Sequence, residues 1–104
     1  MMKLIATQPY FKVQREVNSI EQKNVEDDRT LYLYEDKLMT KHREFPADKI
    51  FDMSFRKLPK GEGILFIHTS QGVFSYTVKK DPEEFIQAFK SLEKEILKKK
   101  REEN

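Results

Sequence analysis

The fold is decided by residues 63–97, which read GILFIHTSQGVFSYTVKKDPEEFIQAFKSLEKEIL. In the first half of this stretch the apolar residues follow a period of two or form short continuous runs. In the second half they recur with a period near 3.6. The first pattern is typical of β-strands and the second of an amphipathic α-helix. We therefore expect a β-hairpin followed directly by a helix.

The predicted hairpin consists of two strand-length runs around a tight turn. Residues 64–69 form a continuous apolar run, and residues 73–78 alternate through Phe74, Tyr76 and Val78. The turn between the runs ends in a glycine, which can adopt positive φ where other residues cannot. This combination is a standard signal for two paired antiparallel strands.

The predicted helix has a recognisable start. Asp81 is an acidic cap, Pro82 occupies the first helical position, and Glu84 follows three residues after the cap. These three positions match a capping box. The apolar stripe that follows consists of Phe85, Ile86, Phe89, Leu92, Ile96 and Leu97. The pattern predicts a helix from about residue 82 to residues 98–100, with one buried face.

Period-two patterns also occur upstream of the hairpin. Residues 30–34 and 38–45 flank the polar residues 35–37 and are interpreted as another short hairpin, with a loop over residues 18–29 before it. Alternation predicts strands at residues 10–17 and 50–56. In the last of these strands, Phe51, Met53 and Phe55 are expected on the internal face. Short strands joined by turns form an antiparallel meander, and its open end needs a cover. The helix stripe is the remaining apolar surface that can supply one.

We therefore expect an α+β, mainly β, fold: a bent antiparallel barrel of six or seven strands capped by one C-terminal amphipathic helix. The 104 residues form a single domain, with its core over residues 10–97 and a charged tail over residues 98–104. No apolar stretch approaches the ~20 residues of a membrane span, and the N-terminal apolar run is too short for a signal peptide. A cytoplasmic location is expected.

The composition excludes several classes of function. The 20 basic and 18 acidic side chains nearly cancel, which gives no reason to expect a nucleic-acid partner. The chain has no cysteine, so disulfides and thiolate metal sites are excluded. His42 and His68 fall on predicted strands without metal-ligand spacing, and no nucleophile elbow or glycine-rich nucleotide motif is present. The acidic pairs 27–28 and 35–36 are typical turn formers. We expect no enzyme activity, no cofactor and no metal.

Five segments together resemble the small bacterial pleckstrin-homology-like (PH-like) domain proteins. They are residues 31–38, 45–50, 63–69, 76–78 and 81–85. The resemblance covers about Phe11 to Ile96. It implies a seven-stranded bent barrel of two near-orthogonal sheets, with one open end plugged by the helix. It also implies a binding platform for lipids, peptides or partner proteins, although fold analogy alone assigns no function.

Phosphoinositide binding by the usual route of that family is not expected. The first strand offers the cations Lys12 and Arg15. The predicted loop that follows carries Glu21, Glu26, Asp27 and Asp28 against Lys23 and Arg29. Such an acidic loop at the barrel mouth repels a polyphosphate headgroup.

Two surface features are candidate contact sites. Tyr32 and Tyr34 share one face of their strand while Leu31 and Leu33 share the other, so the tyrosines are a candidate contact surface. The second feature is a candidate anion contact at the basic helix end, formed by Lys98, Lys99, Lys100 and Arg101. These cations are also explained without a partner, because they complement the negative end of the helix dipole.

The leading interpretation is a non-catalytic binding or scaffold module with a protein partner or a second copy of itself. The alternative is a peripheral accessory protein that touches anionic membrane through its basic helix end. A third alternative is an enzyme of unrecognised type.

Overall fold

In a computed structural model, the backbone of residues 3–17 and 22–102 and the side chains of residues 3–13 and 26–98 are described. The strands are β1 (Leu4–Val17), β2 (Gln22–Tyr34), β3 (Lys37–Met39), β4 (Glu44–Pro46), β5 (Ile50–Lys57), β6 (Gly63–Thr69) and β7 (Gly72–Val78). A short 3-10 helix (Ala47–Lys49) precedes β5, and the helix α1 (Glu83–Glu102) follows β7.

The seven strands form one antiparallel sheet in the order β4-β3-β2-β1-β7-β6-β5. It consists of two meanders, β1–β4 and β5–β7, which in the part of the chain that the structure describes are in register at Phe11 and Thr77. Nearby, the Gln8 side chain donates a hydrogen bond to the Lys80 carbonyl at 2.9 Å. The mainly β fold, the seven strands and the single helix confirm the prediction at this level. Within the described residues β4 and β5 are the two outer strands of the sheet, and no pairing between them closes it into a barrel.

The first hairpin is longer than predicted. β1 begins at Leu4, and its partner β2 already begins at Gln22. The prediction that the first strand starts at residue 10 is therefore wrong. The prediction of a loop over residues 18–29 is wrong from Gln22 onward. Residues 22–28 contain a single apolar residue, Val25, so this half of β2 carries no period-two signal. Its strand conformation comes from pairing with β1.

The predicted strand over residues 38–45 is interrupted by a turn. β3 ends at Met39 and β4 starts at Glu44, so His42 lies in the turn rather than on a strand. The Thr40 amide donates to the Arg43 carbonyl at 2.8 Å, which closes this turn. Pro46 lies in β4, an outer strand, where the missing N–H group costs no pairing on the open side.

A β-bulge at the start of β5 changes the direction of one aromatic side chain. The register with β6 shifts between Ile50 and Asp52. Ile50 and Met53 are buried, whereas Phe51 is 61% exposed. One additional residue in a strand reverses the alternation of its faces. The prediction that Phe51 faces the core is therefore wrong, while that for Met53 is confirmed.

The helix α1 packs its apolar stripe on the sheet, against β1 and β5. Phe89 is completely buried and Phe85 is almost completely buried. The Asp81 carboxylate accepts a hydrogen bond from the Glu83 amide at 2.9 Å, which confirms Asp81 as the helix cap. Leu97 is 53% exposed, so the buried stripe ends at Ile96, one residue earlier than predicted. Across residues 3–17 and 22–102, no helix is both long and apolar enough to cross a lipid bilayer.

Candidate functional site

A cleft of about 520 Å³ opens where β1 and β7 separate. The two strands are in register at Phe11 and Thr77. Beyond this pair, Lys12 and Val13 of β1 form one wall of the cleft, and residues 73–77 of β7 form the opposite wall. Past this pair β1 continues to Val17 in register with β2, and the described register shows no further pairing with β7.

The turn between β3 and β4 supplies a third side of the cleft through Thr40, His42 and Arg43. The Thr40 hydroxyl accepts hydrogen bonds from the amides of His42 at 3.3 Å and Arg43 at 2.9 Å. A threonine that satisfies two amides in this way holds a turn in one conformation. Thr40 therefore fixes the backbone from which the His42 and Arg43 side chains project.

Aromatic rings support the side chains of the cleft. The Arg43 guanidinium carbon lies 4.6 Å from the centroid of the Phe74 ring. Phe74 in turn packs on Phe45, with ring centroids 4.9 Å apart. Tyr10 and Tyr76 meet edge to face at 5.1 Å. A guanidinium that stacks on an aromatic face keeps the N–H groups in its plane available for a ligand.

Tyr76 is neutral throughout the physiological range. Burial raises the pKa of this phenol to about 12, and the neighbouring Tyr10 also raises it, while the Arg43 charge acts in the opposite direction. The hydroxyl of Tyr76 is therefore available as a neutral donor or acceptor at the cleft.

The charge of the cleft is positive. Its described lining includes Lys12, Arg29, His42 and Arg43, and no aspartate or glutamate. Arg29 is bound to Asp27, with the Nη2–Oδ2 distance 2.7 Å. This contact lowers the pKa of Asp27 and raises that of Arg29. Because Asp27 balances Arg29, the excess charge of the cleft comes from the other basic groups.

A second polar pair lies on a different part of the sheet. Ser54 Oγ and His68 Nε2 are 2.8 Å apart across β5 and β6. Asp52 is the register partner of His68, but the side chains described show no hydrogen bond between them. None of these three residues lines any of the four described cavities. The pair is a cross-strand hydrogen bond between half-buried side chains.

The candidate site residues from the sequence lie away from the cleft. Tyr32 is 40% exposed on the outer face of β2 and Tyr34 is half-buried, whereas Leu31 and Leu33 are fully buried. The predicted division of this strand into two faces is confirmed, as is the exposure of at least one tyrosine. The role of Tyr32 and Tyr34 as a contact surface stays a prediction.

The basic helix end is described only in part. Lys98 is exposed, and the side chains of Lys99, Lys100 and Arg101 lie outside the described residues. The anion contact therefore also stays a prediction. Among the residues the structure describes, no group of three or more histidine, aspartate or glutamate side chains could hold a metal ion.

Comparison with known proteins finds no matching family model, and neither a curated protein nor a solved structure matches the chain. The cleft is therefore the feature of this chain that indicates a function.

Proposed function

We propose that this protein is a non-catalytic binding module whose β1–β7 cleft binds an extended segment of a partner protein. The observation that carries the proposal is the unequal pairing of β7. On one side, β7 pairs with β6 from Gly72 to Val78. On the other side, within the described residues, only Thr77 pairs, with Phe11 of β1.

The edge of β7 from Val73 to Tyr76 therefore faces the cleft and, within the described residues, has no paired strand on that side. An unpaired strand edge presents backbone N–H and C=O groups in the spacing that another strand requires. An extended peptide can satisfy these groups by strand addition, and its side chains then provide specificity. The cleft beside the edge supplies room for those side chains.

The cleft offers apolar as well as polar contacts. Val73 is 59% exposed, and Phe74 and Tyr76 are half-buried at the cleft. Such partly exposed apolar groups gain free energy when a ligand removes them from water, at about 25 cal/mol per Å². Backbone pairing together with apolar burial suits a protein segment better than a small polar metabolite.

We also propose that the fold is a PH-like barrel. Two observations support this proposal: a four-stranded meander is followed by a three-stranded one, and the C-terminal helix packs against strands of both. Both agree with the architecture that the sequence resemblance implies. A cytoplasmic location is part of the same proposal, since a chain without cysteine suits a reducing compartment.

Peptide selection combined with hydrogen exchange tests the binding proposal. A random 12-residue display library is selected on the protein, and amide exchange is measured with and without the strongest peptide. We expect slower exchange for amides between Val73 and Tyr76, because new backbone hydrogen bonds protect them.

A matched pair of variants locates the binding independently. Ser75→Trp fills the cleft, whereas Gln71→Trp places the same ring in the exposed turn between β6 and β7. Only Ser75→Trp should abolish peptide binding. Protection confined to other strands, or equal binding by both variants, would contradict strand addition at β7.

A further inference from the structure

The charges that line the cleft indicate which class of segment it accepts. We propose that the bound segment is acidic and that its carboxylate side chains contact Arg43 and Lys12. This inference depends on the proposed function, because it names the partner chemistry of the same site.

Two acidic groups of β2 opposite cleft residues of β1 already have basic partners. Asp27 is bound to Arg29 at 2.7 Å. Glu26 is bound to Lys79, also at 2.7 Å. Neither Lys12 nor Arg43 forms an ion pair among the side chains that the structure describes. The cleft thus carries positive charge that a ligand can neutralise.

Arg43 is prepared for a carboxylate before any ligand arrives. Its backbone amide is held by Thr40, and its guanidinium lies over the Phe74 ring at 4.6 Å. This cation–π contact restrains the guanidinium at the cleft. The N–H groups of a guanidinium can pair with both oxygens of a carboxylate. A side chain that is already positioned loses less conformational entropy on binding.

The same charges disfavour other extended segments. A basic segment brings like charges together at Lys12 and Arg43, and a neutral one leaves their charge without a partner in a partly desolvated site. Charge complementarity therefore selects for aspartate or glutamate within a strand-forming segment.

The test uses the 12-residue peptides selected on the wild-type protein. We expect the selected set to be enriched in aspartate and glutamate relative to the starting library. The strongest binder is then synthesised with its glutamates and aspartates replaced by glutamine and asparagine. The amide version should bind about tenfold more weakly or worse, since a charge-assisted hydrogen bond is lost at each position.

Variants of the protein complete the experiment. Arg43→Gln and Lys12→Gln should each weaken binding of the acidic peptide about tenfold. Arg43→Lys should bind the peptide more tightly than Arg43→Gln but more weakly than the wild type. Lys57→Gln removes an exposed cation from β5, away from the cleft, and should leave the affinity unchanged. Circular dichroism verifies that each variant is folded.

The outcomes separate the two proposals. Peptides that protect the β7 amides but are neutral or basic, or that bind equally well as amides, overturn the acidic preference and leave strand addition in place. Peptides that do not protect β7 at all overturn both proposals.

Discussion

Tyr76 connects the cleft to the core, and its ionisation provides a test at the scale of a single residue. Its pKa is raised to about 12, chiefly by burial, from an unperturbed value near 10. The pKa of Tyr76 is higher in the folded state than in the unfolded state. The contribution of neutral Tyr76 to the free energy of unfolding is therefore complete below pH ~10 and is lost as the pH rises through ~12. We expect the free energy of unfolding to fall over this window.

Tyr76→Phe should remove that part of the pH dependence while leaving the decline due to other groups. Denaturant unfolding at several pH values between 9 and 12 measures the difference. Phenolate absorbance should show a late-titrating component in the wild type that is lost in the variant. An unchanged slope in Tyr76→Phe would contradict the assignment of the shifted phenol.

Gly63 is required by a close contact rather than by backbone conformation. A Cβ atom at this position would overlap the Phe55 ring and lie 3.0 Å from the Arg56 carbonyl oxygen. The ring thus covers the glycine across β5 and β6. Gly63→Ala should destabilise the protein by about 1–3 kcal/mol through overpacking.

Combining Gly63→Ala with Phe55→Leu, which shortens the covering side chain, should cost less than the sum of the two single changes. Chemical denaturation of the four proteins gives the coupling energy directly. If the losses in unfolding free energy of the two single variants add exactly in the double variant, the Phe55 ring does not lie over Gly63.

The helix α1 supplies much of the buried apolar surface, and Phe89 at its centre is fully buried. Phe89→Ala removes a ring from a site that other side chains cannot fill, so we expect a loss of about 3–5 kcal/mol. Leu97→Ala is the matched control on the same helix. Its side chain is 53% exposed, so this change should alter stability by less than about 0.5 kcal/mol. Similar unfolding midpoints for the two variants would show that this face of α1 does not cover the core.

The elements predicted well from the sequence are those whose own residues carry a complete pattern. The β6–β7 hairpin and α1 both have a regular apolar period and a recognisable turn or cap. The first half of β2 has neither, since its strand conformation depends on pairing with β1. The bulge that exposes Phe51 reflects a register shift between two strands, which no single segment encodes.

The cleft could not be predicted from the sequence for a related reason. Its walls come from β1, β7 and the turn that holds Arg43, three segments far apart in the chain. The turn lies inside residues 38–45, a segment predicted as one continuous strand although residues 40–44 are all polar. Arg43 stacks on Phe74, 31 residues later, and only the folded sheet brings them together.

At the scale of the whole molecule, the cleft is distinct from a second surface on the outer face of β1, β2 and β3. Tyr32 is the register partner of Thr7 on β1 and of Met39 on β3, and Tyr34 is the partner of Leu4. Tyr32 is 40% exposed and Leu4 is 48% exposed. This face combines aromatic and aliphatic side chains, and at its Leu4 end it borders a cavity shared with Ala88 and Leu92 of α1. Exposed apolar surface of this kind is typical of contact sites.

We expect this outer face to support self-association, separately from peptide binding in the cleft. Tyrosine suits such a contact because its large ring gains free energy on burial while few rotamers are lost. Replacing Tyr32 and Tyr34 together with serine should weaken association in sedimentation experiments, leave the circular dichroism spectrum unchanged, and spare the affinity for the selected peptide. The core side of the same strand, Leu31 and Leu33, is unaltered by these changes, so the fold should persist. Association that is unchanged in the double variant would remove the tyrosine face as a contact surface, whereas loss of peptide binding in a folded variant would show that the two surfaces are coupled.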